Sequence, residues 1–357
     1  MTRNSSKLTA AKETPRAAER LLAWYDRHRR ALPWRALPGQ RADPYAVWLS
    51  EVMLQQTTVA AVKAYYVSFL DAWPAVGNLA AAPVDEVMTR WAGLGYYSRA
   101  RNLHACAQVV VAEHGGRFPG TEAALRTLPG IGAYTAAAVA AIAFDQRAVV
   151  IDGNVDRVIV RLHGIETSIP LAKPEIRRLA DAQTPDARPG DYAQAMMDLG
   201  ATICTPRKPA CVICPLAEGC VARITGRQDV LPVKVVKAAR PVRHGSVFYV
   251  RRAPGEVLVR TRPPKGLLGG MTEFPGSAWD AVGDPEGAAR PLAASYQRLL
   301  APVEHGFTHF ELVLTPFLAT VKATTQAPDG CRWVLEEGLA GEALPSLMRK
   351  VAAAAEP

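Results

Sequence analysis

Cys204, Cys211, Cys214 and Cys220 fall within 17 residues, separated by six, two and five positions. Four thiolates converging in so short a loop make a metal site. The chain has only Cys106 and Cys331 besides, far apart in sequence. Disulfides are a poor reading, because 357 residues with 49% apolar side chains build a core without staples. Structural zinc sites usually pair two short Cys-x-x-Cys or Cys/His turns, and here there is one such turn. Four thiolates at irregular spacing suit a [4Fe–4S] cluster better, with zinc as the rival and unliganded thiols as the bland alternative. The loop also carries Arg207 and Lys208, and Arg223 and Arg227 follow. Cations on a pinned loop are suited to phosphate contact, or else form an ordinary solvated surface.

Three further features carry chemistry. Residues 128–132 read Leu-Pro-Gly-Ile-Gly between two helical patterns. Gly130 and Gly132 are expected to allow the left-handed backbone of a hairpin, whose amides, with the next helix N-terminus, form a nest for one phosphate. An ordinary helical turn is the alternative. Twenty-two positions past Gly130 stands Asp152, after an apolar stretch and before a helical one; alone it would be an N-cap. Glu51 stands in Trp48-Leu49-Ser50-Glu51-Val52-Met53. An acid among large apolar side chains is partly desolvated and holds its proton more tightly, which suits a general acid. The alternative is a Glu on a solvent-facing helix side.

The elements that must position these residues read as helical through residues 14–222. Thr14-Pro15 and Asp43-Pro44 each mark a helix start, the second leading into one apolar period through Phe69. Residues 223–243, with Lys234, Lys237, Arg240 and Arg243, read as a basic linker. Residues 244–352 turn strand-like, at 246–251, 256–261, 303–310, 312–321 and 332–335, with helices expected at 288–300 and 344–354. This is an α+β domain. Net charge is +9, and residues 240–357 contribute only +1 of it. The basic excess therefore lies with the cysteine loop, and a polyanion such as nucleic acid is its natural partner. Residues 1–13 have no apolar signal core, and the apolar run 133–144 is too short to span a bilayer. The expectation is a soluble, cytoplasmic, nucleoid-associated monomer.

Taken together and in order, these motifs resemble the helix-hairpin-helix, Gly/Pro-loop, aspartate superfamily of DNA glycosylases, and within it the MutY-type adenine DNA glycosylases. The segments 48–57, 93–99, 128–135, 152–155, 192–200 and the cysteine loop carry the resemblance, which covers about residues 16 to 350. It implies a mainly α, two-lobed glycosylase domain with an iron–sulfur loop, followed by a smaller α+β Nudix-like domain. Such enzymes act on double-stranded DNA and remove adenine mispaired with 8-oxoguanine or guanine, flipping it into a pocket between two helical lobes. By resemblance, Glu51 protonates adenine at N7 and Asp152 stabilises the oxocarbenium-like sugar, a division of labour like that of sugar hydrolysis. Asn154 and Tyr134 match residues near the reacting sugar and water. Related enzymes that also cut the strand carry a Schiff-base lysine where this chain has Tyr134, and no Lys lies between Lys63 and Lys173. A monofunctional enzyme is expected.

Trp34, Arg35 and Gln194 match adenine-pocket residues; Gln56, Thr57 and Leu94 match contacts to the lesion strand; Tyr96 matches a wedge into the base stack. For Leu94 and Trp34, core packing is the competing role. Residues 266–276 match the Nudix-like segment, but the Arg-Glu and paired-Glu helix of a working Nudix hydrolase is missing from 277–283. Thr308 and His309 match the family's 8-oxoguanine loop, Thr308 standing where Ser is usual. The competing functions are a thymine or uracil mismatch glycosylase, a catalytically weak lesion-binding protein and a Nudix phosphohydrolase.

Overall fold

The computed structural model describes residues 6–233, 239–280 and 287–356. Lys234 and Lys237 of the basic linker and residues 281–283 lie outside them. The helices are α1 (Ser6–His28), α2 (Pro44–Leu54), α3 (Val59–Ala72), α4 (Val76–Ala81), α5 (Val84–Trp91), α6 (Ser98–His114), α7 (Glu122–Leu125), α8 (Ala133–Phe144), α9 (Gly153–His163), α10 (Ile169–Gln183), α11 (Pro189–Thr202), α12 (Val221–Ile224) and α13 (Ser346–Ala355). None is long and apolar enough to cross a membrane. Two compact units divide the chain: Met1–Ala80 with Ala105–Val236, and Ala81–His104 with Lys237–Pro357.

In the first unit α8 is the central element. Its residues Ala136 to Ala141 are all buried, and small side chains let α2 and α11 lie close on either side. At Gly190, near the start of α11, an added Cβ would stand 2.4 Å from the Ala141 carbonyl oxygen. A second cluster joins α1, α9, α10 and α11 through Leu21, Tyr25, Ile159, Ile176, Met196 and Leu199.

Two helix starts differ from the sequence reading. α1 already runs through Thr14-Pro15 rather than starting after a Thr14 cap, since residues 6–13 are mostly good helix formers. The apolar period from Pro44 to Phe69 is two helices. Asp43 caps the first by accepting from Tyr45 N at 3.0 Å, and Thr58 caps the second by accepting from Ala61 N at 3.3 Å. The chain reverses between them through Gln56, at φ +57°.

The second unit holds a sheet of strands β1 (Val242–Arg252), β2 (Glu256–Thr261), β3 (Thr272–Glu273), β4 (Gln297–Arg298), β5 (Val303–Gly306), β6 (Glu311–Val321) and β7 (Cys331–Leu335). Its order is β3-β2-β1-β6-β4, with β5 also on β6 and β7 also on β2. β1 and β6 run parallel in the middle over 11 paired positions. Alternation separates two cores: Val247, Tyr249, Val257 and Leu312 face α13, while Phe248, Leu258 and Phe317 meet Tyr296 and Trp333. The expected helix at 288–300 is absent. Pro291 interrupts its pattern, and Gln297 and Arg298 pair with β6 instead. The expected strand 303–310 ends at Gly306, because Gly306 pairs with Glu311 and residues 307–310 become the hairpin loop.

Candidate active site

Glu51 lies on α2, 6% exposed, against the central helix. Burial pushes its carboxyl up to about 7. The Tyr134 hydrogen bond opposes the shift, the charge of Asp152 adds to it, and Arg35 opposes it. Tyr134, in the first turn of α8, donates its hydroxyl to Glu51 Oε2 at 2.8 Å. Burial first, then the Glu51 charge, holds that phenol well above its ordinary range. It therefore stays a donor. Glu51 opens onto a small pocket whose walls include Trp34, Arg35, Ser50, Gln194 and Met197. Three side chains read as adenine contacts are thus brought to one acid. Trp34 stands edge-on to Tyr66 at 5.4 Å, and Gln194 Nε2 donates to the Gly190 carbonyl at 3.2 Å.

Asp198, which sequence reasoning did not single out, holds two arginines of this pocket's wall, Arg30 and Arg35. It is fully buried and accepts from Arg30 Nε at 2.5 Å and from Arg35 Nη1 and Nη2 at 2.5 and 2.7 Å. Burial alone would raise its pKa; the Arg35 and Arg30 contacts outweigh that and lower it. The fork fixes Arg35, and the turn that carries Trp34, against α11. An acid within an otherwise apolar helix pattern was the available signal.

Asp152 is the N-cap of α9, as its bland alternative required, and its second oxygen is held too. Oδ1 accepts from Asn154 N at 2.9 Å and Val155 N at 2.7 Å, and Oδ2 accepts from Asn154 Nδ2 at 2.8 Å. Capping fixes the carboxylate at a helix start. Arg157 donates to Asn154 Oδ1 at 2.9 Å, to the Gly200 carbonyl at 2.7 Å and to the Cys204 carbonyl at 2.7 Å. An added Cβ at Gly200 would stand 2.6 Å from Asn154 Cβ, so only glycine lets α11 and α9 meet here.

The hairpin joins α7 to α8. Gly130 is left-handed at φ +72°, as expected, but Gly132 is extended at φ −83° and caps α8 without a side chain. No side chain caps the first amides of α8, which leaves a helix N-terminus of the kind suited to an anion. Gln56 is exposed on its left-handed turn, and Thr57 Oγ1 donates to the Gln55 carbonyl at 3.2 Å. Gln55, not singled out before, donates to Thr135 Oγ1 at 3.0 Å and ties that turn to α8.

In the second unit Tyr96 is exposed and left-handed at φ +49°, a conformation non-glycine residues rarely adopt without a reason. Arg99 shapes its loop: Nη2 donates to the Leu94 and Gly95 carbonyls at 3.1 Å, and the guanidinium stacks 5.0 Å from the Trp91 ring centroid. Leu94 is 6% exposed, in core packing. The Tyr96 hydroxyl meets Thr308 Oγ1 at 3.0 Å, and Thr308 and His309 stand exposed on the β5–β6 hairpin loop. Both line a cavity of about 380 Å³, together with Tyr96, Arg101, Leu268 and His305.

Cys204 lies within electrostatic reach of Cys211, Cys214 and Cys220, and burial raises the thiols of these three. Three of the four pack on the core of α9 to α11. Four cysteine thiolates are the ligand set of a [4Fe–4S] cluster. The donor set fits an iron–sulfur cluster.

Family models match in three places: an HhH-GPD superfamily base excision DNA repair protein over residues 49–185, the iron-sulfur binding domain of endonuclease III over 204–220, and a NUDIX domain over 246–354. The chain is 38% identical to the adenine DNA glycosylase of Homo sapiens, over 93% of this chain and 72% of that protein. It is 43% identical to that of Mycolicibacterium smegmatis, over 56% and 67%. Among solved structures it resembles a thermostable thymine-DNA glycosylase, with TM-score 0.54 and 32% identity over 60% of this chain and 98% of that one.

Proposed function

Because the chain belongs to the adenine DNA glycosylases, we propose that Glu51 and Asp152 divide between them the hydrolysis of the adenine N-glycosidic bond. The enzyme acts on DNA in base excision repair and carries a [4Fe–4S] cluster on Cys204, Cys211, Cys214 and Cys220. The observation that carries the division of labour is the contrast between two carboxyl groups. One is buried and held up to about 7; the other is clamped by backbone amides.

Glu51 is substantially protonated at neutral pH and delivers its proton to the adenine ring as the C1′–N9 bond breaks. The bond's electron pair leaves with the base, so adenine departs neutral. Asp152 stabilises the cationic sugar that remains. Water then adds its oxygen to C1′ and loses a proton, which restores Glu51. Tyr134 holds Glu51 in place, and Asn154 holds Asp152. Trp34, Arg35 and Gln194 receive the flipped adenine, while the amides at Gly130 and Gly132 grip a phosphate. The cysteine loop and its cluster hold the C-terminal edge of the helical domain, residues 14–222, and a basic linker, 223–243, leads to a lesion-reading domain, 244–352.

The preferred substrate is adenine opposite 8-oxoguanine, with adenine opposite guanine next. Tyr96, Thr308 and His309, with Gln56, Thr57 and Leu94, read the opposite strand. The protein works as an intracellular monomer. With tyrosine at position 134 it forms no Schiff base, so borohydride traps no complex and the product strand breaks only on alkali or heat. The deciding experiment compares base release from A:8-oxoG, A:G, T:G and U:G duplexes. Release of adenine in the order A:8-oxoG above A:G, with neither pyrimidine released, supports this reading. Faster release from T:G or U:G would replace it with a mismatch pyrimidine glycosylase.

A further inference from the structure

Arg161 on α9 is 2% exposed and has no carboxylate partner among the described residues. Its Nε donates to the Leu231 carbonyl at 2.9 Å, and its Nη1 donates to the Thr205 carbonyl at 2.7 Å and lies 3.3 Å from Cys204 Sγ. Nη2 is buried and finds no acceptor. The residue's own carbonyl oxygen stands 3.5 Å from Cys220 Sγ. A buried cation facing two carbonyls and one cysteine sulfur, with a donor left over, is an unstable arrangement unless something anionic is supplied.

We propose that Arg161 is the electrostatic partner of the iron–sulfur cluster, donating from Nη1 to the Cys204 thiolate and from Nη2 to an inorganic sulfide, and that it thereby raises the cluster's reduction potential. Four thiolates around an iron–sulfide core make a net anion, which is what the buried guanidinium lacks. A sulfide is an acceptor that the protein itself does not supply to Nη2. A cation and N–H···S bonds favour the more negative, reduced state of the cluster over the oxidised one. Arg157 plays a different part, because its guanidinium ends on carbonyl and amide oxygens, including those of Cys204 and Asn154, and not on sulfur.

The test uses the iron-loaded full chain with Arg161→Met and Arg161→Lys, and reads the cluster's midpoint potential by film voltammetry beside iron content. Arg161→Met, loaded to wild-type iron, is expected to favour the oxidised state about tenfold more, a drop of about 59 mV for a one-electron couple. Arg161→Lys should fall between, since it keeps the charge and loses the fork. A loaded Arg161→Met with an unchanged potential overturns the proposal. Should neither variant hold iron, wild-type protein labelled with guanidino-15N arginine decides, by pulsed EPR of the paramagnetic cluster. An arginine nitrogen coupled to the cluster, and still coupled in Arg157→Gln, supports the assignment; no such coupling overturns it.

Discussion

The Tyr134 hydroxyl donates a 2.8 Å hydrogen bond to Glu51 Oε2, and that bond works against the burial that keeps Glu51 protonated. The two influences set where the acid titrates. Single-turnover adenine release should fall as pH rises through about 7, where Glu51 loses its proton. Tyr134→Phe removes a donor to the ionised form, so the midpoint of that fall should move to higher pH. A profile with its midpoint unmoved or lowered would show that another group sets this limb.

The same shift has a stability consequence. Glu51 holds its proton more tightly folded than unfolded, so the folded state binds more protons between its ordinary value of 4.5 and about 7. Its ionisation penalty is absent below that window and complete above it, on the order of 3 kcal/mol at most. Glu51→Gln should therefore be more stable relative to wild type at pH 8 than at pH 5, as read from melting temperatures across that range. A difference independent of pH contradicts the burial argument.

Asp152 serves both as cap and as carboxylate, and two substitutions separate the roles. Asp152→Asn keeps an oxygen for the Asn154 and Val155 amides, so its stability should stay within about 1 kcal/mol of wild type while base release is lost. Asp152→Ala should lose base release and about 0.5–2 kcal/mol of stability as well. Denaturation curves with single-turnover rates check this. An active Asp152→Asn enzyme would remove Asp152 from the chemistry.

Thr308 and His309 offer a hydroxyl and an imidazole on an exposed loop, and Thr308 is held by Tyr96 at 3.0 Å. The double substitution Thr308→Ala, His309→Ala should slow processing of A:8-oxoG by an amount corresponding to about 1–3 kcal/mol and leave A:G nearly unchanged. Equal losses on both duplexes would mean that this loop supplies general affinity and does not read the lesion.

Much of this was legible in sequence because the informative residues answer to local rules. Asp43-Pro44 before an apolar period, Gly130 in a tight turn and four cysteines in 17 residues each leave a signature on the chain. What escaped depends on contacts between distant segments. Asp198 looks like one acid in a helix until Arg30 and Arg35 are folded onto it, more than 160 positions away. The break at residues 55–58 was hidden by an apolar period that continues across it, although Thr58 is a legitimate cap. The segment 288–300 scanned as helical, yet Ala288, Leu292, Ala294 and Tyr296 pack on the sheet beside Phe248 and Phe317. Gly132 was expected to be left-handed; it is instead the extended N-cap of α8.

In the proposed mechanism Glu51 supplies the proton that makes adenine leave. The most direct measurement of that step is single-turnover adenine release from an A:8-oxoG duplex by Glu51→Gln, with duplex affinity measured on the same preparation. Glutamine fills the site without a transferable proton and leaves the phosphate contacts alone. Duplex affinity should stay close to wild type, with no detectable adenine release. Release at the wild-type rate by Glu51→Gln would contradict that role for Glu51.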